Sequence, residues 1–109
     1  MYTRKVNKES FKLQFLNDFK GFLQLENKTE INLMHIIWRD STEEPILANK
    51  ELKEQWAEEL ACSLGTVNNT LTKLVNKKLI KSSSRSVYYP NSDYFAQGLS
   101  RTIKYEIIE

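Results

Sequence analysis

The chain has 109 residues, 40% of them hydrophobic and 28% charged, with a net charge of +2. That length makes one domain, burying roughly two-thirds of its unfolded surface, and leaves no room for two independent cores. With 3 Gly and 2 Pro, the composition excludes long disordered linkers and a β fold built on many tight turns.

The net charge is too small to indicate nucleic acid by itself, but its distribution is uneven. Before Glu59 the acids slightly outnumber the bases; beyond it the balance is basic. Cys62 is the only cysteine, so no internal disulfide forms, and a lone thiol fits a reducing compartment. No stretch approaches the ~20 apolar residues of a membrane span, and the start of the chain lacks a signal-peptide core. A cytoplasmic protein with no membrane partner is expected.

Met1 to Lys8 is polar and basic, and reads either as a loose arm or as a short strand around Val6. Phe11, Phe15, Leu16, Phe19, Phe22 and Leu23 then recur at helical spacing on one broad face. Core packing is the first reading of these aromatics, and a dimer seam is the second. Asn27, with Glu30 three residues on, has the form of a capping pair. The helix that follows carries Ile31, Leu33, Met34, Ile36, Ile37 and Trp38 around most of its circumference, which predicts a central, largely buried position. His35 lies on this helix with no partner at metal-ligand spacing, so a packed or hydrogen-bonded role is expected.

Asp40 to Pro45 reads as a loop. Ile46 and Leu47 are expected to form a short strand that pairs with a hairpin further along the chain. Asn49 caps a helix with Leu52, Trp56, Ala57 and Leu60 on one stripe and Glu51, Glu54, Glu58 and Glu59 outside. Ser63 caps the next helix, whose apolar stripe is Val67, Leu71, Leu74 and Val75. At about 100° per residue, the opposite face carries Gly65, Thr66, Asn69, Thr72, Lys73 and Asn76, with Asn68 and Lys77 on its flanks.

That second helix is the most informative element. From Cys62 to Ser92 there is no acidic residue, as expected of a surface facing phosphates. Asn and Thr are poor helix formers, and a merely solvated face would more often use Glu, Lys and Gln. Asn can bond adenine at two edge atoms, and a Thr methyl can touch the thymine methyl. Lys73 and Lys77 suit phosphates, and the backbone N–H groups of Leu64, Gly65 and Thr66 are expected free for another. Leu79 to Ser82 and Ser86 to Tyr89 read as two strands around Ser83-Ser84-Arg85. Arg85 is the candidate for a minor-groove or phosphate contact, and Lys81 is a further basic candidate on the first strand. Beyond the hairpin, Tyr94 to Gly98 reads as a helical turn. Thr102 to Ile108 alternates as a strand, expected to join the hairpin sheet or to pair across a dimer axis.

The run Ala57-x-x-Leu60, Ser63-x-Gly65-Thr66-Val67, Leu71-x-x-Leu74 resembles bacterial winged helix-turn-helix regulators. The segment Tyr88-Tyr89-Pro90-Asn91-Ser92-Asp93-Tyr94-Phe95-Ala96-Gln97-Gly98 is similar to the post-wing region of Rep L-type plasmid replication proteins. In those, a Tyr-x-x-Asn-Pro-x-x-Phe-x-x-Gly-like stretch precedes a last strand. Two residues depart from the patterns. Ser92 stands where the replication family has Pro. Ala61 stands where helix-turn-helix turns often have Gly, so either Ala61 is left-handed or the turn differs.

The expected fold class is mainly α with a small β-sheet: one winged helix-turn-helix domain over residues 1–109. It divides into an arm and added N-terminal helix (1–25), the helix-turn-helix and wing (46–90), and a C-terminal turn and strand (91–109). The expected function is sequence-specific binding of double-stranded DNA by a homodimer, as a transcriptional regulator or plasmid-type initiator. The candidate contacts are Ser63, Gly65, Thr66, Asn68, Asn69, Thr72, Lys73, Asn76, Lys77, Lys81 and Arg85. The alternative is a protein-interaction module that keeps the fold without DNA. Neither catalysis nor a metal, cofactor or small-molecule ligand is indicated, because the acids line a helix instead of clustering.

Overall fold

The computed structural model describes residues 2–41, 44–92 and 103–108. In chain order the elements are β1 (Tyr2–Asn7), α1 (Phe11–Asp18), α2 (Lys28–Asp40), β2 (Ile46–Leu47), α3 (Lys50–Glu59), α4 (Leu64–Asn76), β3 (Ile80–Ser84), β4 (Val87–Pro90) and β5 (Ile103–Ile108). The fold is mainly helical, with a small three-stranded antiparallel sheet in the order β2-β4-β3 and a separate β1–β5 pair.

Local chemistry starts three of the helices. The Asn27, Asn49 and Ser63 side chains accept the N–H groups of Glu30, Leu52 and Thr66, each satisfying a donor that the first helical turn leaves open. The Glu30 carboxylate does not close a reciprocal box on Asn27. It turns back to the Glu26 N–H at 3.3 Å.

Three connections end in the same device. Gln24, Ala61 and Lys78 adopt φ of 61°, 53° and 63°. After each, the next N–H reaches back five residues: Leu25 to Lys20, Cys62 to Ala57, and Leu79 to Leu74. This is the Schellman pattern, in which glycine normally takes the left-handed position.

The first of these turns revises the Phe-rich helix. α1 stops at Asp18, and residues 19–24 form successive turns through the poor helix former Gly21. Leu23 and Leu25 turn inward while Phe22 stands 64% exposed. The rings of Phe11 and Phe15 in α1, and of Phe19 just after it, pack within the chain. Phe15 lies 4.8 Å from Phe19 and 5.4 Å from Trp38 between ring centroids. These rings thus have intramolecular partners, as core packing requires.

α2 is central. Leu33, Met34, Ile36 and Ile37 are buried, and the helix packs against α1, α4 and β4. Trp56 and Ala57 from α3, and Val67, Leu71 and Leu74 from α4, complete the same core, with Leu52, Leu60 and Val75 partly buried at its edge.

β2 pairs with β4 as expected, Ile46 opposite Tyr88. The first strand of the hairpin ends two residues later than the sequence pattern indicates, and the second begins one residue later. β3 runs through Ser84, a register shift falls between Ser82 and Ser84, and the turn lies at Arg85-Ser86, with Ser86 at φ 64°. β5 does not join this sheet. It pairs in parallel with β1, from Tyr2 opposite Ile103 to Asn7 opposite Ile108. The expected turn from Tyr94 to Gly98 lies outside the described residues. Among the described residues no helix is long and apolar enough to cross a membrane.

Candidate nucleic-acid interface

α4 separates an apolar stripe from a polar one. Val67, Leu71 and Leu74 are buried, whereas Gly65, Asn68, Asn69, Thr72, Lys73 and Asn76 are exposed. The stripe holds because Ser63 fixes the helix start and α2 and α3 grip its other side. Among the described residues, the side chains of Asn68, Asn69, Lys73 and Asn76 make no hydrogen bond or ion pair within the chain. Their donors and acceptors face solvent at about one helical turn's spacing.

The hydroxyls are less available. Thr72 Oγ1 donates to the Asn68 carbonyl oxygen at 3.1 Å, leaving its methyl as the outward group. Thr66 is half-buried, and its hydroxyl shares a 2.9 Å hydrogen bond with Ser63 Oγ. The Thr66 N–H donates to Ser63 Oγ at 3.1 Å. The expectation of three free N–H groups at this helix start therefore loses Thr66 to the cap. Thr70 points inward and donates to the Thr66 carbonyl oxygen.

Lys77 does not stand with the other candidates. Its ammonium donates to the Glu30 carboxylate and, at 2.7 Å, to the Gln24 carbonyl oxygen, and it lies 3.3 Å from Glu26. The Lys77 side chain is 14% exposed and that of Glu30 1%. Burial lowers the Lys77 pKa, but the hydrogen bonds it donates to Glu30 and Glu26 outweigh this and hold the ammonium above its ordinary 10.5. The assignment of Lys77 to phosphate is corrected: it joins α4 to the segment that opens α2. Lys77 lies two turns beyond Thr70, at nearly the azimuth of that residue, and this points inward only once Thr70 is seen to be buried, so the sequence alone carries no signal for it.

Lys81 and Arg85 are exposed on β3 and in the hairpin turn. The hairpin is anchored by Asn91, which the sequence shows only as part of the post-wing segment, with no structural role assigned. Asn91 is buried; its Nδ2 donates to the Lys78 carbonyl oxygen at 2.7 Å, and its N–H to that of Leu79 at 2.9 Å. Asn91 thus ties the return strand to the left-handed residue that ends α4.

Apart from Glu26, which meets Lys77 at the end of α4, a run of exposed acids lies on a different helix. Glu51, Glu54, Glu58 and Glu59 lie along α3, and Glu59 accepts from Arg39 at 3.1 Å. Comparison with models of known protein families, with curated proteins and with solved structures finds no match.

Proposed function

We propose that the chain binds double-stranded DNA in the manner of a winged helix-turn-helix protein, with α4 as the recognition helix and the β3–β4 hairpin as the wing. The reading is supported by the element order α3, short turn, α4, hairpin, with β2 closing the small sheet. The observation that carries it is the exposed face of Asn68, Asn69, Thr72, Lys73 and Asn76. These side chains are presented on a buried scaffold within an acid-free stretch.

In this reading Asn68, Asn69 and Asn76 meet base edges, and the Thr72 methyl supplies an apolar contact. Lys73, Lys81 and Arg85 meet phosphate or the minor groove and fix the register. The cap residues Ser63 and Thr66 act indirectly by setting the helix start, and Gly65 lets the DNA backbone approach closely. A homodimer reading a two-fold repeated site is part of the same proposal.

Selection of bound duplexes from a random pool, followed by mobility shifts across a salt series, tests it. The expected result is an enriched site with inverted repeats and affinity that falls steeply with salt. Recovery of an unenriched pool, with no retained duplex at low salt, would defeat the proposal.

A further inference from the structure

A cavity of about 460 Å³ opens between the start of α1 and the last turns of α2, lined by Lys8, Glu9, Phe11, Lys12, His35 and Arg39. Its size is that of a small-molecule site, roughly 300–1,000 Å³. Phe11 supplies an aromatic wall, its ring edge-on to Trp38 at 6.2 Å between centroids.

The cations around it are unequally satisfied. Arg39 spends its Nε and one N–H of a terminal nitrogen on Asp40, and one N–H of the other on Glu59. Two of its five N–H groups remain. Lys12 is half-buried. Its ammonium donates to the Trp38 carbonyl oxygen at 3.0 Å and lies 5.4 Å from the Trp38 ring centroid. Among the described residues no carboxylate stands within ion-pairing distance of it. Burial lowers the Lys12 pKa, and Asp40, itself bound by Arg39, offsets this only from a distance. His35 is also lowered, by burial first and then by Arg39 and Lys12, which keeps its imidazole neutral near neutral pH.

We propose that this cavity binds a small aromatic monocarboxylate, its ring against Phe11 and its carboxylate on Lys12, with the remaining Arg39 N–H groups in support. Lys8 and Lys12 both lack a counter-ion among the described residues, but Lys8 is exposed to solvent, so a single negative charge matches the one half-buried ammonium. A dianion such as a phosphate monoester would meet Glu9 in the lining and Asp40 behind Arg39. The site lies on α1 and α2, so it stands or falls independently of DNA binding by α4.

The test is titration of the whole chain with naphthoate and, separately, with its neutral analogue naphthalenemethanol, following the His35 and Trp38 ring signals by NMR. Naphthoate should give saturable shifts confined to this region, and the alcohol should bind about tenfold more weakly, as loss of a charge-assisted hydrogen bond implies. Lys12→Met should weaken naphthoate by a similar factor and leave the alcohol unchanged, whereas Phe11→Ala should weaken both. Equal affinity for acid and alcohol on the unaltered chain would overturn the proposal even if a variant failed to fold. So would shifts scattered over the surface, no saturable shift, or indifference of naphthoate binding to Lys12→Met.

Discussion

The Lys77 ammonium lies against the Glu30 carboxylate and joins the end of α4 to the start of α2 across 47 residues of sequence. Glu30 also caps locally through its own N–H, accepted by Asn27 at 2.9 Å. One buried cluster therefore fixes where α2 begins and how α4 sits upon it. A charge in this position carries orientation more than net stability, because desolvation offsets much of the attraction.

Removing one partner strands the other. Lys77→Met should cost on the order of 3 kcal/mol, the lower end for a buried pair, since the ammonium keeps some contact with water. Adding Glu30→Gln should recover part of that loss, because no unpaired charge is then buried. Chemical denaturation of the single and double variants measures both. The folded Lys77 pKa lies above 10.5, so the stabilisation is complete below pH 10.5 and disappears as the pH rises through the folded value. The Met variant should lack that alkaline loss.

Ala61 takes the left-handed position in the turn between α3 and α4, at φ 53°. A Cβ makes this conformation costly, and glycine relieves it at some expense in unfolded-chain entropy. Ala61→Gly should raise stability by about 0.5–1 kcal/mol, a rise of a few degrees in melting temperature for a domain this size. An unchanged or lower melting temperature would show that the turn does not hold Ala61 in this strained form.

His35 is held below its ordinary 6.5 by burial, then by Arg39 and Lys12. The unfolded chain therefore binds a proton that the folded chain resists. Stability should be complete above pH 6.5 and fall as the pH drops from 6.5 through the folded value. His35→Gln should flatten that acid-side decline in a series of denaturant melts.

What the sequence reveals follows from range. Asn27, Asn49 and Ser63 act on N–H groups within three residues, so their caps are readable as local chemistry. The stripes of α2, α3 and α4 are readable because helical periodicity reports burial. The helix ends are harder: Gln24 and Lys78 hold left-handed turns without the glycine that would signal them, and the left-handed Ala61 is readable only as one of two alternatives, from the position where such turns often have glycine. The parallel pairing of β1 with β5 is a contact between distant segments, and strand alternation carries no information about the partner. Lys77 shows the same limit at the candidate interface. Charge and position suggested phosphate, but a buried glutamate from another helix took the ammonium.

The proposed binding of duplex DNA by the outer face of α4 is tested most directly by comparing Asn69→Ala and Lys73→Ala with the unaltered chain across sequences and salt. On this account Asn69→Ala loses roughly 1–3 kcal/mol of discrimination at one base position and keeps its salt dependence. Lys73→Ala weakens binding to every sequence alike and reduces the salt slope by about 1. Unaltered affinity, sequence preference and salt slope in both variants would contradict the placement of DNA on this face.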